Sequence, residues 1–178
     1  QGLNLTNLSL AYPLDVDVPF FWQVTVTDGS LTNVSSIGNF TIPSLISLSL
    51  PVSAVSFGNI TQDGSRNTSN GSSVYPFILQ NDGNIQGNIT ITSTSIFQQG
   101  AYPSTGYQFL VEDNETGSFF QTNSTLSYTN FTNLTIRTDV HLLDWNNTHD
   151  AVAVHVRIAP PTDEPTGNHS ANVTMTAI

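Results

Sequence analysis

The chain predicts an all-β fold, an immunoglobulin-like or jelly-roll-type β-sandwich of about 8–10 strands. Two observations predict it. Strong helix formers are scarce, with no Lys and three Arg, while 9 Pro and 12 Gly interrupt the chain throughout. Thr, Val, Ile and Phe recur in period-two alternation, the pattern of strands with one face buried.

Taken in order, residues 1–12 (QGLNLTNLSLAY) form a short strand ended by Pro13. Leu3 and Leu5 share one face, and Leu8 and Leu10 the opposite one. A terminal strand with leucines in two registers is either an edge strand with a bulge near Thr6–Asn7 or a donor strand that completes a neighbour's sheet. The expected division is a donor strand over 1–12 and a β-sandwich domain over 13–178.

Val18, Phe20, Trp22, Val24 and Val26 lie on one strand face, closed by Asp28-Gly29. Trp22, in register with these apolar residues, is expected in the core. Asp15 and Asp17 alternate with Val16 and Val18 and are expected on an exposed strand edge. Ile46, Leu48 and Leu50 alternate with serines. Tyr75, Phe77 and Leu79 run into the turn Asn81-Asp82-Gly83-Asn84, followed by Ile89 and Ile91. Asp-Gly between alternating runs is a strong hairpin signal, so a hairpin is expected over 75–92. Further strands are expected at Leu134–Ile136, Ala151–Ile158 and Ala171–Ala177. The segment 62–73 reads as a low-complexity loop. Pro160, Pro161, Pro165 and Gly167 make a turn-rich connection before the last strand.

Fifteen of the eighteen asparagines open an Asn-x-Ser/Thr sequon: Asn4, Asn7, Asn33, Asn39, Asn59, Asn67, Asn70, Asn88, Asn114, Asn123, Asn130, Asn133, Asn146, Asn168 and Asn172. With 20 Ser and 23 Thr in 178 residues, chance would give only about four or five such matches. The excess indicates an exported, heavily N-glycosylated surface. Nine of these sequons have an apolar middle residue, such as Ile89 or Phe131, so strand alternation would place sugar outward and the middle side chain inward. The sugars are therefore expected on sheet faces as well as loops.

Net charge is −10, from 13 acidic residues against Arg66, Arg137 and Arg157. That opposes nucleic acid as a partner, which needs a basic patch. No run of 18 apolar residues offers a membrane span. There is no Cys, so no disulfide staples the fold. The chain begins at Gln1, as one would from which an export signal had been removed. A surface of few charges and many hydroxyls and amides keeps its polarity in acid, which suits an acidic or hot habitat.

Chemistry-bearing clusters are weak. His141 and His155 flank Asp144 and are expected as surface residues, like His149 and His169. Asp144, Asn146, Thr148 and Asp150 alternate loosely like calcium ligands, but the loop's glycine and terminal glutamate are missing. No metal site is expected, and no cofactor beyond covalent N-glycans. Without Cys, Lys or a G-x-S-x-G elbow, nucleophilic catalysis lacks its usual groups, and a non-enzyme is expected. Trp22 and Trp145 could stack on sugar.

The Cys-free, sequon-dense sandwich with a short N-terminal strand resembles the subunits of archaeal extracellular threads and of bundling pili of the camelysin-like biofilm-fibre class. The 75–92 segment (YPFILQNDGNIQGNITIT) is similar to the hairpins of those folds, and 154–178 to the closing strands of archaeal immunoglobulin-like surface domains. The resemblance implies head-to-tail polymerisation by donor-strand complementation, with Leu3, Leu5, Leu8 and Leu10 as the inserted residues. The expected function is a structural subunit of an extracellular, N-glycosylated filament, a homopolymer of identical subunits serving adhesion to cells or surfaces, or biofilm formation. The alternative is a monomeric cell-surface module: an adhesin, a surface-layer domain or a carbohydrate binder.

Overall fold

The computed structural model describes residues 15–69, 74–135 and 137–178. Among them there is no helix, and thirteen strands follow one another, several only two or three residues long. The chain divides into two compact units, Gln1–Ser44 and Leu45–Ile178. The N-terminal segment 1–12, with its leucines, lies outside the described residues.

In the first unit, β1 (Pro19–Trp22) pairs antiparallel with β4 (Gly38–Thr41), and β2 (Thr25–Thr27) with β3 (Thr32–Val34). The Asp28-Gly29 turn forms as its residues dictate. Gly29 takes φ 96°, and the Asp28 carboxylate accepts the Ser30 and Leu31 amides at 2.9 and 2.8 Å. The single face expected from Val18 to Val26 breaks between β1 and β2, where Val24 N–H donates to Ser35 Oγ at 3.0 Å. Asp17 lies in a turn rather than on a strand, and accepts the Ser44 amide at 2.9 Å. None of residues 15–44 is buried. Trp22 is not the core residue its register suggested, since half its surface is exposed. Two-stranded ribbons have no second layer to bury such a side chain.

The second unit holds the core. Its larger sheet runs in the order β10 (Thr129–Asn130), β9 (Tyr107–Asp113), β12 (Ala151–Ile158), β7 (Phe77–Asn81), β5 (Leu48–Val52), with β6 (Arg66–Asn67) also on β12. A three-stranded sheet runs β11 (Val140–Leu143), β8 (Gly87–Ser93), β13 (Val173–Ala177). Alternate residues of both supply one apolar layer. Phe109 and Val111 of β9 and Val152, Val154 and Val156 of β12 meet Ile89, Ile91, Val140 and Leu143. Phe131 lies tilted against Tyr107 and Phe109, with ring centroids 4.3 and 4.7 Å away. Two sheets facing across a shared core are the layering of a β-sandwich. The strands read at 151–158 and near the C-terminal end of the described chain form as the alternation indicates.

The hairpin expected over 75–92 does not form. β7 and β8 belong to different sheets, and the turn between them carries the chain across the core. Its amides pair with the segment before β5 instead: Asp82 N–H donates to Ser47 O and Asn84 N–H to Leu45 O. Asn81, fully buried, fixes the crossing by donating from Nδ2 to Ile85 O at 2.9 Å and accepting the Gly83 amide at 3.1 Å. No strand includes Leu134, which is exposed; Ile136 lies outside the described residues.

Candidate functional surface

Two features stand out: the distribution of the sequon asparagines and an open cleft in the second unit. Among the described sequon asparagines none is buried. Asn33, Asn39, Asn59, Asn114, Asn123, Asn133, Asn146, Asn168 and Asn172 are exposed, and Asn67, Asn88 and Asn130 half-buried. Asn4, Asn7 and Asn70 lie outside the described residues. The fully buried asparagine, Asn81, opens no sequon. Asn33, Asn39, Asn67, Asn88 and Asn130 lie in strands, and the other described ones in connections. Of the apolar middle residues, Ile89 and Phe131 are buried, whereas Val34, Phe40 and Leu134 are exposed. Strand alternation thus orders the sequons where a second sheet covers the strand.

Several of these side chains have their carbonyl oxygen fixed. Asn67 Oδ1 accepts Ser69 Oγ at 2.7 Å, and Asn146 Oδ1 accepts Thr148 Oγ1 at 3.2 Å, so asparagine and hydroxyl of one sequon close a local turn. Asn130 Oδ1 accepts Gln108 Nε2 at 3.0 Å. Asn88 Oδ1 faces His141 Nδ1 and accepts the Leu142 amide, each at 3.0 Å.

The cleft, about 870 Å³, opens between the sheets where β13 begins. Phe77, Tyr107 and Ile158 line it from the larger sheet, Val173 from β13, and Phe57 and Phe97 from connections. Burial pushes the Tyr107 phenol up to about 12, against the pull of its contact with Ser93 Oγ at 2.9 Å. β13 pairs only with β8, and no other described strand lies on its second edge. Its inward residues Val173, Met175 and Ala177 are half-buried, whereas Ile89 and Ile91 on β8 are fully buried. The apolar layer therefore thins toward that second edge. Asn59 and Asn168, both sequon asparagines, sit on the lining.

Glu164 organises the wall of this cleft, although nothing in the Pro-rich connection marks it out from its neighbours. It is 4% exposed. Its carboxylate accepts the Gln98 and Gln99 amides at 2.8 and 2.9 Å and faces His169 Nδ1 at 3.1 Å. Its carbonyl accepts Gln62 Nε2 at 2.8 Å. Three separate segments thus meet at one residue.

The remaining candidates do not converge. His141 lies on the outer face of the three-stranded sheet, bonded to Asn88. His155 is buried rather than on the surface, held between Thr68 O at 2.9 Å and Glu112 at 3.3 Å on the larger sheet. Its neighbours Val154 and Val156 face the core, and Thr68, beside β12, covers the opposite face where His155 lies. Asp144 Oδ1 accepts the Trp145 amide, Asn146 is tied to Thr148, and Asp150 is buried against Gln80. Among the described residues no three His, Asp or Glu are grouped to hold a metal ion. No described helix is long and apolar enough to cross a membrane.

No protein-family model, curated protein or solved structure matches this chain.

Proposed function

We propose that the chain is a structural subunit of an extracellular N-glycosylated filament, polymerised head to tail by an N-terminal donor strand, in adhesion or biofilm formation. The sandwich is then immunoglobulin-like, completed by its neighbour. The observation that carries this reading is the cleft where β13 begins, with Val173 on its lining and Met175 and Ala177 half-buried further along a strand edge that no described strand covers. A strand added there continues the ladder of the three-stranded sheet and covers that row. Residues 3–10 of a second copy supply its leucines, a bulge near Thr6–Asn7 bringing Leu8 and Leu10 to the face of Leu3 and Leu5. Four leucines contribute about 2 kcal/mol each, against an association cost on the order of 4–15 kcal/mol. The two are of similar size, so the link is tight only where the acceptor cleft is preformed. Such a contact is heterologous, and its repetition gives an open filament. The sequon excess supports export and a sugar coat.

Electron microscopy of the native material is expected to show filaments, and discrete particles or a two-dimensional lattice would favour the monomeric surface module. Deleting residues 1–12 should yield unpolymerised subunits, and the free peptide should cap them. Unchanged filaments from the truncated chain would remove the donor strand from this reading.

A further inference from the structure

The outer face of the three-stranded sheet carries a row of side chains at one level. Val140 pairs with Ile89, and Ala177 pairs with the same Ile89, all three pointing inward. Their neighbours His141, Asn88 and Ile178 therefore point outward. Phe120 joins the row through its bridge to His141. The order across the face is Phe120, His141, Asn88, Ile178. Both ends are apolar and exposed, Phe120 at 52% and Ile178 at 59%. A sequon asparagine lies between them.

The orientation of Asn88 is fixed by β11. Leu142 sits at φ 52° in the bulge of that strand, and its amide needs an acceptor. Only Oδ1 can serve, so Oδ1 faces β11 and Nδ2 turns the other way, toward β13. There Ile178 is the cross-strand partner of Asn88, its amide donating to Asn88 O at 2.9 Å. Side chains so paired stand roughly 5 Å apart. Among the described residues no hydrogen bond ties Nδ2.

We infer that the N-glycan on Asn88 lies over β13, with the apolar face of its first sugar covering Ile178 and its hydroxyls meeting Thr176. This rests on the proposal that the chain is glycosylated. When the sugar is attached, a bond forms from Nδ2 to sugar C1, the C1–O bond of a glycosyl phosphate donor breaks, the phosphate leaves with that electron pair, and one amide proton passes to a base of the transferring enzyme. Oδ1 keeps both its partners, so the bulge of β11 and the sugar are compatible. The Thr90 hydroxyl that completes this sequon is buried and donates to Arg137 O at 2.7 Å. The sequon is therefore open to modification only before β8 packs, and the sugar becomes part of the folded face.

The test compares the native glycoprotein with the same chain made in a host without N-glycosylation, each as wild type and as Ile178→Ser. Glycopeptide mapping reports occupancy of each sequon. The expected result is sugar on Asn88, a drop in Tm of about 2 °C or more for Ile178→Ser in the glycoprotein, and almost none in the bare chain. Nuclear Overhauser contacts from the first sugar to the Ile178 methyls should accompany it. Asn88 bare while other sequons carry sugar overturns the inference and leaves the glycoprotein reading intact. Sugar on Asn88 with equal Ile178→Ser effects in both forms, and no methyl contacts, also overturns it. Absence of sugar from every sequon overturns the inference together with the glycoprotein reading.

Discussion

The Asp139 carboxylate accepts the backbone amide of Ile91 at 2.7 Å, inside the sandwich, with both residues fully buried. Thr125 Oγ1 donates to the other oxygen at 3.1 Å, and Arg137 Nε lies 2.6 Å from it. One side chain before β11 thus ties the middle of β8 to a connection and to a cation. Asp139→Ala removes the acceptor and leaves the Ile91 amide and the Arg137 charge without it. The expected loss is about 3 kcal/mol, read as a lower urea midpoint at unchanged slope. A loss below about 1 kcal/mol would show that water replaces the carboxylate there.

The carboxylates also set a pH response, opposite in the two units. Burial pushes Asp139 above its ordinary 3.8, against the Ile91 amide and Arg137. Burial and the neighbouring Glu115 do the same to Asp150. A raised folded pKa contributes stability that is full below the ordinary value and lost as pH rises through the folded one. Residues 45–178 should therefore melt no lower near pH 3 than near neutrality. Asp28 and Asp17 are lowered by the amides of Leu31 and Ser44 that they accept. Their contribution is lost as pH falls, so the ribbons of 15–44 should loosen in acid. Amide exchange measured segment by segment at pH 3 and 7 separates the units, and uniform acid unfolding would contradict this assignment.

Gly38 lies directly under the Trp22 ring in the β1–β4 ladder. A Cβ on Gly38 would come within 2.5–2.7 Å of the indole, so Ala cannot be added without moving the ring. In a Trp145→Phe background, Gly38→Ala should shift Trp22 emission to longer wavelength as the ring leaves the strand. The melting of residues 45–178 should stay unchanged, since Trp22 takes no part in their core. An unaltered spectrum would mean that the ribbon backbone yields instead.

The fold was legible wherever alternation sufficed. Ala151–Ile158 reads as a strand from its own residues and forms one, because it is central and covered on both edges. Partner choice was not legible. Asn81-Asp82-Gly83-Asn84 has the composition of a hairpin turn, and local chemistry does not reveal that the Asn81 amide finds Leu143 O, 62 residues on, at 3.4 Å. Trp22 failed for a related reason: register places a side chain on a face but does not supply the layer that buries it. Glu164 is invisible in sequence because its worth lies in three segments meeting around it.

The Asn81 crossing gives the sharpest stability test. Its side chain satisfies Ile85 O, Leu143 O and the Gly83 amide in a fully buried position where the chain passes from one sheet to the other. Asn81→Leu keeps the number of side-chain heavy atoms but leaves those groups unpaired, each costing roughly 1–3 kcal/mol. A net loss of about 3 kcal/mol or more is expected. Because the crossing joins β7 to β8, amides of both strands should lose protection together. If protection falls only in residues 82–86, the asparagine orders its own turn and the sheets are joined by the core alone.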